Sequence, residues 1–433
     1  MSGADPASNI VIALQERAAI LDRADPLAAL RTRFALPRDA DGNELTYLCG
    51  HSLGLAPLAA RARVLEELED WERLGVSGHE HGRRAWIGYA ERLAPGLAAL
   101  AGAEPTEVVA MNSLSVNLHL LLASFYRPAG VRQRILIEAG AFPSDRHLVE
   151  SQIRWHGLDP ATALIELAPR PGENLLRMED IEARIAAEGA ALALVLWPGV
   201  QYRTGQAFDL AAITRAAQRA GAVVGFDLAH AIGNLPLALH DSGCDFAAWC
   251  SYKYLNGGPG AIGGAFVHAR HANSPALPRL TGWWGSDPAT RFGMSGEFAL
   301  TPGAAGWQIS NPPILSAAPL FASLELYAAA GMPALRSKSR QLTGLLEGAL
   351  RELCGAEVAI VTPADPEQRG CQLSVRIVGD TARARRAHQA LGRRGVVTDW
   401  REPDTIRLAP VPLYNRYADA VRAAAALAAA LRE

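Results

Sequence analysis

Asp227, His230 and Lys253 are the residues whose types and spacing point most directly to chemistry. The apolar run 222–226 ends on Asp227, the pattern of a buried strand that delivers a carboxylate at its C-terminal edge. His230 follows in the next turn, and a second apolar segment, 246–250, leads into Ser251, Tyr252 and Lys253. Behind the lysine comes Asn256-Gly257-Gly258-Pro259-Gly260, a loop able to bring backbone close to a ligand. A lysine between a buried run and such a loop loses hydration, which lowers its pKa and makes it a nucleophilic amine. An amine of this kind captures a carbonyl group as a Schiff base, and an acid at a strand end can keep a heterocyclic nitrogen protonated. Taken alone, the spacing also fits a helix cap and a solvated surface charge.

The elements that must position these side chains alternate strand and helix. Apolar runs predict strands over 134–138, 163–167, 191–197, 222–227, 246–250 and 261–268. Helical periodicity predicts helices over 118–125, 178–188 and 210–220, and another containing Leu148 and Ile153. Short connections between such units imply a mostly parallel sheet with its ligand site at the C-terminal strand ends. Ser113 and Ser115 stand at one helix start and Pro143-Ser144-Asp145 at another, where hydroxyls and free N–H groups suit a phosphate but also serve as ordinary caps. The N-terminal 45 residues read as short helices that pack on something else. A helix marked by Leu65, Leu68 and Trp71 follows. Beyond about 330 an α+β unit is expected, with helices over 334–353 and 381–392, strands over 358–361 and 372–377, and a last helix from about 415. The expected domains are 1–75, an arm with helices, 76–330, the large domain, and 331–433, the small one.

Composition narrows the class. The 433 residues are 49% apolar and 20% charged, with Lys plus Arg (42) nearly balancing Asp plus Glu (44), so no basic surplus argues for nucleic acid or an anionic membrane surface. No apolar run reaches the roughly 18 to 20 residues of a spanning helix. The start, MSGADPASN, lacks a basic region followed by an apolar core, so the expected location is cytoplasmic. Five cysteines without a Cys-x-x-Cys pair, and His79 and His81 spaced i, i+2 beside glycine, give no reason to expect a metal. Tandem Trp283-Trp284 in a glycine-flanked loop should meet a ligand or a neighbouring subunit. Arg407, among apolar residues in a strand-like run, requires a carboxylate partner, either structural or from a ligand.

These motifs together resemble the kynureninases, pyridoxal 5'-phosphate enzymes of the aspartate aminotransferase fold type (fold type I). The matching stretches include GFDLAHAIGN, CSYKYLN, FPSD and IRLAPVPLYN, and the likeness runs from about Tyr47 to Asn415 in at least six motifs in family order. It implies an α/β protein with a mostly parallel large-domain sheet flanked by helices and a smaller α+β C-terminal domain. The implied reaction is hydrolysis of L-kynurenine or 3-hydroxy-L-kynurenine to anthranilate or 3-hydroxyanthranilate plus L-alanine, in tryptophan catabolism and feeding NAD synthesis. The implied assembly is a homodimer with active sites at the interface. By resemblance, Lys253 holds the cofactor and moves the α-proton, Asp227 keeps the ring nitrogen charged, and Tyr252 transfers protons in later steps. Leu114, Ser115, Phe142, Pro143, Ser144, Asp145, His230, Trp283 and Asn311 are implied at the cofactor. Arg407, His79, Ser52 and Asn311 are implied at the amino-acid substrate. His51, Pro198, Trp284 and Ser286 depart from the family pattern; His79 and Asn311 match the animal-type pocket, which leans toward the 3-hydroxy substrate. Two alternatives stay open: a cysteine desulfurase or other β-lyase of the same fold, and a silent ligand-binding relative.

Overall fold

The computed structural model describes residues 6–272, 274, 277–293 and 296–433. The chain divides into two compact units: Ala60–Tyr202 with Phe208–Glu325, and Met1–Ala59 with Arg203–Ala207 and Leu326–Glu433. The first 59 residues thus share a unit with the C-terminal part of the chain.

In chain order the strands are β1 (Thr46–Tyr47), β2 (Val108–Ala110), β3 (Arg134–Glu138), β4 (Leu164–Leu167), β5 (Leu192–Pro198), β6 (Val223–Asp227) and β7 (Phe246–Trp249). They continue with β8 (Gly264–Val267), β9 (Val358–Ile360), β10 (Leu373–Ile377), β11 (Val396–Val397), β12 (Asp399–Arg401) and β13 (Thr405–Leu408). The first unit is built on one seven-stranded sheet, in the order β2-β8-β7-β6-β5-β3-β4. Its β7-β6-β5-β3-β4 part is parallel. That follows from the crossovers: helices Pro143–Trp155, Met178–Glu188 and Leu210–Arg219 lie between successive parallel strands. β8 runs against both neighbours because it returns directly from the lysine loop without a crossover helix.

The sheet is covered on both faces, so its strands read as continuous apolar runs; every described residue of β2, β7 and β8 is buried. Register then fixes the site. Pro198, Asp227 and Ala248 are neighbours across β5, β6 and β7, which sets Asp227 at the C-terminal edge of the parallel strands. Gly225 makes room: a Cβ there would lie 2.0 Å from the Phe246 ring. The last expected strand, 261–268, is shorter than its sequence pattern, beginning only at Gly264, because Gly258 and Gly260 turn the chain with φ of +86° and +69°.

One face is reversed relative to its pattern. In helix Leu58–Leu74 the apolar marks point outward, with Trp71 60% and Leu65 44% exposed, while Glu67 and Asp70 are buried. Glu67 compensates by accepting from Arg84 Nε (2.6 Å), Trp86 Nε1 (2.9 Å) and the Tyr89 hydroxyl (2.9 Å). Asp70 accepts from the Arg83 N–H at 2.6 Å. Fully satisfied carboxylates cost little to bury, and the helix follows its polar partners.

The second unit carries a four-stranded antiparallel sheet, β12-β13-β10-β9, and the parallel pair β1-β11. Helices Pro6–Ala24, Met332–Cys354, Thr381–Arg393 and Tyr417–Ala430 contribute Leu14, Leu342, Leu391 and Leu427 to its core. The N-terminal helix is tied in by polar contacts: Asp22 accepts the N–H groups of Tyr417 (2.7 Å) and Ala418 (3.1 Å) at the start of the last helix. Asp25 holds the buried Lys338 at 2.8 Å. Among the described residues no single helix is long and apolar enough to cross a membrane.

Candidate active site

A cavity of about 160 Å³ opens at the C-terminal edge of the parallel strands, inside the larger unit. Lys253 lies in its wall, in the turn after β7. Its backbone is locked: Asn256, at φ +51°, donates its N–H to the Lys253 carbonyl at 2.9 Å, and Gly257 donates to Ser251 at 2.8 Å. The amine is therefore aimed by its loop. Nζ sits 3.1 Å from His230 Nε2 and 5.8 Å from the centre of the Phe142 ring. His230 is brought there by the turn after β6, closed by the Ala231 N–H on the Leu228 carbonyl (2.9 Å) and by Asn234 Nδ2 on the His230 carbonyl (2.9 Å).

The opposite wall is made by two helix starts. Ser115 in the first turn of Leu114–Phe125 and Ser144 in the first turn of Pro143–Trp155 share a hydrogen bond, Oγ to Oγ, at 2.7 Å. Ser113, at the N-cap, makes no capping bond of its own. Two helix N-termini with hydroxyls converging on one cavity wall form an anion cradle, through free N–H groups and aligned dipoles. Phe142 at the N-cap of the second helix is 40% exposed and meets Tyr202 edge to face at 5.3 Å, leaving a ring face toward the cavity.

The floor is acidic. Asp227, with Oδ1 accepting the Ala229 N–H at 2.7 Å, is joined by Glu138 at the end of β3 and Asp145, and all three are buried. Burial pushes the Asp145 carboxyl well up, and the charge of Asp227 and the hydrogen bond between the two add to this. Burial likewise pushes Glu138 up to about 8, with the Asp227 charge acting in the same direction and the hydrogen bond from Gln201 opposing it. Tyr252 is raised above the usual phenol range by burial and by Cys250. The site can thus offer an amine, a nearby imidazole, an anion cradle and buried acids that retain protons near neutrality.

Of the residues expected from sequence, Leu114, Ser115, Phe142, Ser144, Asp145, Asp227, His230, Tyr252 and Lys253 line this cavity. Pro143, His79, Trp283 and Asn311 are not among its walls. Pro143 opens its helix, and His79 packs edge to face on Trp86 at 5.3 Å. The tandem tryptophans split: Trp284 is buried under the Arg291 guanidinium (4.5 Å), whereas Trp283 is 52% exposed and donates to the Arg291 carbonyl at 3.2 Å. Asn311 is exposed and accepts from the Ser310 hydroxyl at 3.1 Å. Ser52 and Arg407 belong to the other unit. There Arg407, fully buried in β13, forks onto Asp399 at 2.8 and 3.1 Å, the structural form of the carboxylate its burial required.

Sequence reasoning missed Glu138, Val200, Tyr202 and Cys250 as lining residues. Glu138 carried a readable signal, since it ends a predicted strand as Asp227 does. Tyr202 and Val200 carried none, because an irregular segment gives no period from which a facing direction follows.

The comparisons with known proteins agree. Residues 335–427 match the family model described as kynureninase C-terminal domain. A kynureninase of Xanthomonas campestris pv. campestris is 60% identical over 405 residues, 94% of this chain and 95% of that protein. One from Stenotrophomonas maltophilia is 57% identical over 399 residues, 92% of this chain and 94% of its own length. Among solved structures, a cystine C–S lyase complexed with its product cysteine persulfide superposes with a TM-score of 0.75 at 19% identity, covering 89% of this chain and 97% of that one. An Escherichia coli cysteine desulfurase gives 0.74 at 19% identity, with 94% and 98% covered. At that identity the two structures establish the shared α/β fold alone, the one expected from the sequence: a mostly parallel sheet and a smaller C-terminal sheet. The sequence relatives carry the assignment further, and on their identity and coverage this chain belongs to the kynureninase family.

Proposed function

We propose that the cavity around Lys253 hydrolyses L-kynurenine or 3-hydroxy-L-kynurenine to L-alanine and the corresponding anthranilate, with the residue roles set out below. The observation that carries the reading is the Lys253 amine, 3.1 Å from His230 Nε2, facing a floor of buried acids. The residues fit pyridoxal 5'-phosphate: a serine-lined pair of helix starts for a phosphate, an aromatic face at Phe142, an acid pair at Asp145 and Asp227, and an amine. When bound, that group supplies an aldehyde for amines and an electron sink for the carbanion left by deprotonation.

The remaining work falls to the chain. Ser115, Ser144 and the helix N-termini hold the phosphate. Asp227, with the raised carboxyl of Asp145 beside it, would keep the ring nitrogen protonated. Lys253, whose amine would hold the aldehyde at rest, is placed to take the proton at the substrate α-carbon, with the His230 imidazole 3.1 Å from it. Tyr252, kept neutral by its raised pKa, donates a proton as the β–γ carbon bond breaks after water adds at the γ-carbonyl. Substrate contacts by Ser52, His79, Asn311 and Arg407 rest on the resemblance alone: none of the four is in the cavity wall, and Arg407 is engaged by Asp399. The rival β-lyase reading lacks support in the residues: Tyr252 precedes Lys253, and Cys371 is fully buried beside β10, where a mobile-loop nucleophile has no freedom.

A homodimer and a cytoplasmic location complete the reading. The half-exposed Trp283 and exposed Trp71 support the first, and light scattering at twice the chain mass tests it, a monomer at assay concentration removing it. The deciding experiment loads the protein with pyridoxal 5'-phosphate, adds each ketone and measures alanine. The expected result is alanine with either anthranilate from the wild type and none from Lys253→Ala, the ratio of the two rates giving the preference. Cofactor binding without alanine from either ketone rejects the proposal.

A further inference from the structure

Glu107 is fully buried at the start of β2, away from the cavity. Its carboxylate is oriented by backbone: Oε1 accepts the Ala269 N–H at 2.7 Å and Oε2 the Glu104 N–H at 3.0 Å. Two imidazoles converge on it. His240 Nδ1, from the short helix Leu239–Ser242, lies 2.9 Å from Oε1, and His268 Nδ1, just after β8, lies 3.7 Å from the same oxygen. One ligand atom from each of the three residues falls within 4.8 Å of the others. Around a tetrahedral ion with bonds of ~2.1 Å, ligand atoms stand ~3.4 Å apart, so the trio already has nearly the dimensions of a coordination face.

We propose that Glu107, His240 and His268 form a site for a divalent transition ion of the zinc class. Two imidazoles and a carboxylate are the ligand set that suits such an ion and leaves a fourth position open to water. The backbone bonds to Glu107 do the orienting that a metal carboxylate needs. His268 Nδ1 accepts the Arg270 N–H at 3.2 Å as the cap of the next turn, so this nitrogen carries its lone pair, and an ion bound there would take that lone pair from the cap. The Arg270 guanidinium is engaged by Asp245 (2.6 Å) and the Gly243 carbonyl (2.8 Å). His240, with a side chain 43% exposed, gives the ion its way in.

The site lies at the end of the sheet opposite the cavity: β8 runs against β7, so its last residue adjoins the N-terminal ends of the parallel strands, where β2 begins. A bound ion would join three segments at the β2–β8 edge, a clamp on that edge. The other metal-capable grouping among the described residues, Cys49, His51 and Asp399, is less suited. Its carboxylate is held by Arg407 and Arg401, and burial pushes the Cys49 thiol up to about 11.

The test is calorimetric titration of chelator-treated, cofactor-loaded full-length protein with Zn2+, joined to X-ray absorption on the zinc-loaded wild type. The expected result is one Zn2+ per chain in the micromolar range, at least tenfold weaker binding in both His240→Gln and His268→Gln, a zinc-dependent rise in Tm only in the wild type, and unchanged alanine production in both variants. The absorption spectrum should show nitrogen and oxygen ligands. No binding by the wild type, equal binding by both variants, or a sulfur ligand would each overturn the proposal.

Discussion

Lys253 and His230 face each other as two nitrogen bases over a floor of acids, and the behaviour of that floor is the residue-scale question. Glu138 is buried and its carboxyl is pushed up to about 8, so the folded chain keeps a proton that an unfolded glutamate releases near ~4.3. Between those values the folded state binds more protons than the unfolded one. Stability contributed by Glu138 is therefore whole at low pH, falls as pH rises through that window and levels off above about 8. Asp145, raised by burial and by Asp227, slopes the same way. Glu138→Gln, which keeps the shape and cannot ionise, should flatten the fall of Tm with pH and gain on the wild type at pH 8 by on the order of a few kcal/mol. Melting curves from pH 5 to 8.5 check this; parallel curves for the two proteins would show that Glu138 does not hold the proton.

At the scale of elements, the site depends on two helices starting at one cavity wall. Helix Pro143–Trp155 has proline at its first position, and helix Leu114–Phe125 begins after Ser113 in extended conformation, so both starts were legible in local sequence. Their convergence was not. It results from the two helices packing against each other in the folded unit. If the Ser115–Ser144 pair holds a phosphate, replacing both serines by alanine should weaken affinity for pyridoxal 5'-phosphate by about tenfold, the equivalent of one hydrogen bond to a charged group, and leave affinity for unphosphorylated pyridoxal unchanged. Fluorescence titration of the two aldehydes separates these outcomes, and equal losses for both would place the phosphate elsewhere. Helix Leu58–Leu74 teaches the complementary lesson: its apolar marks identified a helix but misdirected its face, since Glu67 found its donors in Arg84, Trp86 and Tyr89, and Asp70 found one in Arg83.

For the molecule as a whole, the first 59 residues are part of the unit that contains the C-terminal sheet. The Asp25–Lys338 pair, 2% and 6% exposed, couples the chain's start to the helix Met332–Cys354. Removing one partner leaves a buried charge without its counter-ion, so Asp25→Ala should lower the stability of this unit by about 3–5 kcal/mol. Asp25→Leu with Lys338→Met should recover most of that, because an apolar pair of similar volume avoids the desolvation penalty. Denaturant unfolding of the single and double variants measures both; additive losses would mean that the pair is not coupled.

What the sequence determined by itself is local: the strand that ends on Asp227, the glycine loop that aims Lys253, the helix starts after Ser113 and Phe142, and the alternation that makes the larger sheet mostly parallel. These follow from periodicity and backbone preference, which act over a few residues. Only the tertiary structure decided that Glu138 and Asp145 join Asp227 under the cavity, that Tyr202 meets Phe142, that Trp284 is buried while Trp283 is not, and that Glu107, His240 and His268 come together at a sheet edge. Burial, raised pKa values and converging ligands arise where distant segments exclude water together, a condition that no single stretch of sequence specifies.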